Sequence, residues 1–440
     1  MPSLWTFTSI RQLAFALSTF TALGCGDDTT NTGGAGGAGG AHGGSGGSGA
    51  GFVQGGSGGI GGFGACTEFV ADAQQAPAAL LIVLDRTASM GTEGKWDAAQ
   101  TAILGAVDKD VFDTMSLGLL TFPEPASVPG PDCIFNYPIY CDVTTSPQVT
   151  VSAAGTDKSD AATGVRRQIA DYLSASTPQN DDSADSSPIY PALNAAYSAL
   201  RAVPDVDRRA VLLVTDGGGS CASVANPSRP AYMDSNGCFD WDEPPYMAAL
   251  IGDARNDPTA PVETFIVGVP GSASHGDTVG GYSTPPYSML LALSTYAVAG
   301  SPDTVDPSCD KNAVFDLAGA DPTTPCHFDL SNSATFNATI LEDAIATLRR
   351  KALGCTYDLP APPPGQTVDP NKVNVLLTVD GAAELLVPRR SDAADACTGT
   401  PCWDYDASDR VELIGAACSA VSEASSARVE IDVGCATKLK

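Results

Sequence analysis

The chain is poor in histidine, with three in 440 residues, and its cysteines form no paired C-x-x-C motif. Both absences argue against a cysteine-built metal centre. Basic residues are sparse as well: 23 Lys and Arg, scattered along the chain, stand against 51 Asp and Glu, for a formal charge of −28. The electrostatic footprint of a nucleic-acid binder is therefore missing. Such an acidic surface draws cations or partners with basic patches, or simply keeps a secreted protein soluble. Long apolar runs are lacking too. The segment 13–23, LAFALSTFTAL, follows Arg11 and is too short to span a bilayer, and no other segment could do so. Its proportions are those of a secretory signal.

What is present begins with Cys25. Thr21-Ala22-Leu23-Gly24-Cys25 resembles a bacterial lipobox, with Leu23 two residues before the cysteine rather than three. Residues 1–24 are then a signal peptide and Cys25 a lipidated N-terminus; ordinary cleavage without a lipid is the alternative. Residues 25–65 read as a flexible stalk. From Gly33 to Gly64, nineteen of thirty-two residues are glycine, which cannot bury enough apolar surface to fold and reaches roughly 30 Å as a tether. The expected location is extracytoplasmic: lipid-anchored at an outer membrane or cell surface, or secreted.

There are thirteen cysteines, and setting Cys25 aside as a lipid acceptor leaves twelve, the number for six disulfides in an oxidising compartment. Neighbours in sequence suggest Cys133–Cys141, Cys221–Cys238, Cys309–Cys326, Cys397–Cys402 and Cys418–Cys435. Cys66–Cys355 would then clip the ends of the main domain.

Residues 66–355 alternate apolar strands with amphipathic helices. Strands are expected at 78–85, 116–122, 208–216 and 262–269, and helices at 95–107, 163–175, 189–200, 245–255, 288–300 and 338–353. This order predicts an α/β fold with a doubly wound, mostly parallel sheet. Residues 356–440 open on a proline-rich connector, and 372–379 and 383–389 flank Asp380-Gly381, a strong hairpin signal. They read as a small C-terminal disulfide-rich β module, with Trp403 and Tyr405 in its core.

The most informative segment is LLIVLDRTASM at 80–90, an apolar strand running into Asp85, Thr87 and Ser89. One carboxylate and two hydroxyls on one tight turn are hard oxygen ligands suited to Mg²⁺ or Ca²⁺. A second buried strand, RRAVLLVTDGG at 208–218, ends in Asp216. Both aspartates thus fall at the carboxyl edge of an open α/β sheet, where ligands bind.

This combination resembles the von Willebrand factor type A domain, whose metal-ion-dependent adhesion site carries D-x-S-x-S on a first loop, Thr on a second and Asp on a third. Asp85, Thr87 and Ser89 match the first loop, with Thr for the first serine, and Asp216 matches the third. On the second loop Ser187-Pro188 stands where the family has Thr-Pro, with Ser186 as the alternative. The resemblance covers roughly 66–355 and implies that Asp85, Thr87, Ser89, Ser187 and Asp216 hold Mg²⁺, or Mn²⁺ or Ca²⁺. It also implies a non-enzymatic function, in which a protein or cell-surface ligand offers a carboxylate to the metal.

Loops bearing Cys133 and Cys141, Cys221 to Cys238, and 275–286 emerge on the same sheet edge, with Trp241, Tyr232 and Tyr282 as available aromatics. Enzymatic readings fit poorly. A haloacid-dehalogenase-like phosphotransferase needs a second Asp where Thr87 stands. A subtilisin-like serine hydrolase is echoed by His275-Gly276-Asp277-Thr278-Val279 and Thr87-Ala88-Ser89-Met90, but the chain order is wrong. A structural envelope protein with a purely stabilising metal is the remaining alternative.

Overall fold

The computed structural model describes residues 67, 69–75, 77–124, 141–178, 187–221, 231–233, 240–274, 285–306, 308–362, 367–424 and 427–440. Residues 1–24, expected as a signal peptide, and 25–65, expected as a stalk with Cys25, lie outside these residues, as do Cys66, Cys133, Ser186, Cys238, His275 and Tyr282.

Strand β3 (Ala78–Asp85) is buried along its whole length, which is why its sequence is a continuous apolar run rather than an alternating one. It pairs in parallel with β4 (Met115–Phe122) and with β6 (Arg208–Thr215). Beyond β6 lie β9 (Glu263–Gly268) and the short β10 (Phe328–Asp329), both parallel. At the other edge β5 (Val149–Ala153) runs antiparallel to β4. The result is a six-stranded mixed sheet in the order β10-β9-β6-β3-β4-β5.

Side chains of β3 alternate between two cores. Leu80, Ile82 and Leu84 pack with α1 (Lys95–Val107), α2 (Val165–Ala175) and α6 (Ala338–Leu353). Ala79, Leu81 and Val83 pack on the opposite face with α3 (Ile189–Arg201), α4 (Pro244–Arg255) and α5 (Met289–Gly300). Helices therefore cover both faces, and the loops at the carboxyl ends of β3 and β6 meet on one edge.

The remaining sheets draw on both ends of the described chain. One runs β1-β16-β12-β13 and uses Phe69–Asp72, Ala427–Val433, Val373–Val379 and Leu385–Val387. The other runs β14-β15-β11-β2 and uses Cys402–Tyr405, Val411–Ile414, Thr356–Asp358 and Gln74–Gln75. Helix α7 (Ala416–Glu423) lies between the last strands of the two sheets in sequence. The sequence reading grouped residues 69–75 with the α/β part, but their hydrogen bonds place them in these C-terminal sheets. The α/β part is thus spliced between β2 and β11. Asp380 and Gly381 close the β12–β13 hairpin with φ of 49° and 71°, both left-handed as a type I′ turn requires. Trp403 is fully buried and meets Tyr405 edge to face at 5.1 Å. A separate two-stranded ribbon joins β7 (Ala231–Met233) to β8 (Asp240–Asp242).

All nine described cysteines are disulfide-bonded. Cys309–Cys326 and Cys397–Cys402 form as expected from their spacing. The other assignments are corrected. Cys141 pairs with Cys221 across 80 residues, displacing Cys133–Cys141 and Cys221–Cys238. The cause is topological: β4 and β6 flank β3, so the loops leaving them are adjacent in space although distant in sequence. Cys355 pairs with Cys418, displacing Cys66–Cys355 and Cys418–Cys435, because α6 and α7 pack together. Cys435 is disulfide-bonded as well.

A chain of residues 356–440 alone lacks β1 and β2 and leaves β16 and β11 each short of one neighbour. We expect it to show no cooperative thermal transition by circular dichroism, whereas the chain from residue 67 onward unfolds cooperatively. Within that longer chain Trp403→Ala should cost about 3–5 kcal/mol in urea unfolding.

Candidate functional site

Strand β3 delivers Asp85 fully buried at its carboxyl end. The chain then turns through a short 3₁₀ segment, Ala88–Gly91. The turn is fastened by Asp85 itself: its Oδ1 accepts from the Thr87 backbone N–H at 2.9 Å and from Thr87 Oγ1 at 2.7 Å. Asp85 Oδ2 accepts from Thr215 Oγ1, the last residue of β6, at 2.6 Å. Asp216 follows directly, 4% exposed. Its Oδ1 accepts from Ser89 Oγ at 3.0 Å, and its Oδ2 from Lys95 Nζ at 2.5 Å. Lys95 is the first residue of α1 and is 4% exposed.

Four of the five expected site residues therefore form one connected chain: Asp85, Thr87, Ser89, Asp216. Ser187 stands beside it, just ahead of α3. Its N–H donates to Ser220 Oγ at 2.7 Å and its carbonyl accepts from the Ser220 N–H at 2.9 Å, which pins the second loop to the third. A Cβ placed on Gly217 would lie 3.7 Å from Ser187 Oγ, so that hydroxyl faces the turn after Asp216.

Proton counting tests whether these residues suit a cation. Thr87 Oγ1 and Ser89 Oγ are 2.9 Å apart, giving three contacts in a row: Asp85 to Thr87, Thr87 to Ser89, Ser89 to Asp216. Each hydroxyl carries one proton, so two protons serve three contacts. If both carboxylates are ionised, one contact sets oxygen lone pair against lone pair. Either one of the two carboxyl groups carries the missing proton, or a positive ion between the oxygens replaces it. The two buried carboxylates face the Lys95 ammonium, and the buried Arg86 guanidinium also interacts with Asp85. Asp85 is accordingly pushed up to about 7, first by burial and then by Asp216, against the pull of its hydrogen bonds from Thr215 and Thr87. Asp216 is also raised, by burial, with Lys95 opposing the shift. The donor set of carboxylates and hydroxyls fits Mg²⁺, Mn²⁺ or Ca²⁺. Among the described residues no group of three or more His, Cys, Asp or Glu is arranged to hold a metal, so any cation at this edge must draw on hydroxyls.

The sequence reading missed Lys95 and Thr215. Thr215 was legible as the residue before Asp216, aligned by parallel register with the end of β3. A lone lysine opening a helix carries no such signal. Of the aromatics proposed for the surrounding loops, Trp241 is instead buried in the α3–α5 core, because β8 tucks it inward. Tyr232 is partly buried, edge to face with Tyr287 at 6.0 Å.

No family model and no curated protein matches the chain. Among solved structures it is similar to the pilus adhesin SpaC from Lactobacillus rhamnosus GG, with a TM-score of 0.40 and 12% identity over 83% of this chain and 41% of that one. It is also similar to proximal thread matrix protein 1 from the mussel byssus, with a TM-score of 0.33 and 13% identity over 64% of this chain and 48% of that one. The chain thus spans less than half the length of either protein.

The raised Asp85 fixes the sign of a pH effect. Its unfolded value is 3.8 and its folded value about 7, so the folded state keeps a proton that the unfolded state has lost. The associated stability is complete below the unfolded value and is lost as pH rises through about 7. In urea unfolding in EDTA, Asp85→Asn should therefore gain on the wild type as pH is raised from about 4 to about 8. A difference that stays flat over this range would show that Asp85 titrates normally.

Proposed function

We propose that this chain is an extracytoplasmic protein of the von Willebrand factor type A kind, with a doubly wound α/β domain that grips a partner through a divalent cation. The observation that carries this reading is the row of three oxygen contacts with two protons, at the carboxyl ends of two adjacent parallel strands. Asp85, Thr87, Ser89, Ser187 and Asp216 are the residues that would hold Mg²⁺, or Mn²⁺ or Ca²⁺. When bound, the ion supplies a hard electrophilic centre able to accept a carboxylate oxygen from a protein or cell-surface ligand.

This chain's own residues do the rest. Thr215 and the Thr87 N–H fix the Asp85 carboxylate from below. Ser220 fixes the loop that presents Ser187. Few charged ligands and several neutral hydroxyls leave a bound cation short of negative charge, which suits binding an acidic group rather than turnover. The disulfides support folding in an oxidising compartment. Among the described residues no helix is long and apolar enough to cross a membrane. Attachment through a lipid on Cys25 belongs to the same proposal; secretion without a lipid is the alternative. A structural envelope role is favoured by one observation, the buried Lys95–Asp216 pair, which supplies positive charge without any metal.

Isothermal titration with Mg²⁺ and Mn²⁺ should show one site in the wild type, lost in Asp85→Ala and Asp216→Ala. Thr215→Val, which removes only the support of Asp85, should weaken binding about 10–100-fold. Unchanged binding in both aspartate variants would refute the site. Binding of the metal with no enhancement by a carboxylate-bearing peptide would favour the structural role.

A further inference from the structure

Lys95 is an odd residue in its position. It opens α1, where the helix dipole disfavours a cation, and it is buried, where an ammonium is costly unless paired. Among the described residues its ion-pair partner is Asp216, at 2.5 Å, with side-chain exposures of 5% and 1% for the pair. Gly94, the residue before Lys95, has φ of 68°. Gly271, in the turn after β9, has φ of 108°, and a Cβ there would come within 2.8 Å of the Asp216 carbonyl oxygen and 3.6 Å of Lys95 Nζ. Gly271 thus packs directly against the ion pair.

The contact also sets a charge against any incoming ion. Asp216 Oδ1 accepts from Ser89 and Oδ2 from Lys95. Each oxygen keeps a further lone pair, but a cation drawing on Asp216 would share the carboxylate with the Lys95 ammonium, whose charge repels it.

We propose that Lys95 is a tethered counter-cation that keeps the site closed, and that a divalent ion binds only by displacing its ammonium from Asp216. This rests on the metal-site reading above and adds its regulation. Lysine suits the role: a compact charge on a flexible four-carbon stem can withdraw, where a bidentate arginine would not. Displacement would also link occupancy of the site to the first turn of α1, because Lys95 is its first residue.

The inference has an opposite sign to a purely structural salt bridge. If Lys95 merely braces the site, removing it should disorder Asp216 and weaken metal binding. If Lys95 competes, removing it should strengthen binding. Mn²⁺ affinity by calorimetry and thermal midpoint with and without Mn²⁺ would be measured for the wild type, Lys95→Gln, Lys95→Met and Asp216→Ala. Lys95→Gln keeps a hydrogen-bond donor to Asp216 and guards against a Lys95→Met chain that does not fold without metal. We expect Lys95→Gln to bind Mn²⁺ on the order of tenfold tighter or more, since one positive charge near the ion is removed. Its midpoint should fall below the wild type without metal and rise further than the wild type on adding Mn²⁺. Binding by Lys95→Gln and not by the wild type would support the lock in its strongest form. Equal or weaker binding by Lys95→Gln, with Asp216→Ala weaker still, would overturn the lock and leave the metal site standing. Absence of Mn²⁺ binding in the wild type and both lysine variants would overturn the two together.

Discussion

Two carboxylates buried at the ends of neighbouring strands are the constraint around which this edge of the molecule is organised. Parallel pairing of β3 with β6 sets Leu84 opposite Val214, so Asp85 and Asp216 are forced into proximity by register alone. In a low-dielectric setting such a pair cannot remain ionised without help. Thr215, Thr87, Ser89 and Lys95 are that help, and they come from β6, the β3 loop and the start of α1. Each is neutral except Lys95. Arg86, buried next in sequence to Asp85, adds a second positive charge nearby, so what a cation would supply here is the Thr87–Ser89 contact, which has no proton of its own when both carboxylates are ionised.

The same strands explain what could be read from the sequence. A strand covered by helices on both faces must be apolar throughout, so β3, β6 and β9 stood out, and the helices between them followed from their 3.6-residue period. Asp85, Thr87, Ser89 and Asp216 were legible because each lies within a few residues of such a strand end. Lys95 was not. Its role depends on a contact with a residue 121 positions away, and nothing local separates a buried lysine at a helix start from an exposed one. Strands β1 and β2 were hidden for the same reason: they are four and two residues long and gain their identity from partners near the other end of the chain. The disulfides failed where neighbour pairing assumes that closeness in sequence means closeness in space. It held for the tight loops 309–326 and 397–402 and broke where sheet topology folds distant loops together.

One such corrected disulfide acts on the site. Cys141–Cys221 joins the loop after β4 to the loop after β6, which straddle the turn carrying Thr87 and Ser89. Cys221 has φ of 71°, a left-handed conformation that a non-glycine residue holds only when its surroundings require it. Its neighbour Ser220 is the residue whose hydroxyl and N–H clasp Ser187. The covalent cross-link therefore fixes Ser220, Ser220 fixes the second loop, and the second loop presents Ser187 toward the turn after Asp216. A cross-link that closes 80 residues removes a large part of the unfolded chain's freedom, and here it also removes freedom from the loops around the two carboxylates. Helices α1 and α3 lie on opposite faces of the sheet, and the first and second loops are tied through the third, by Ser89 to Asp216 and by Ser187 to Ser220; the cross-link braces that third loop. With it, the hydroxyls are set in place before any ligand arrives, and the ordering cost that would otherwise oppose binding is met during folding.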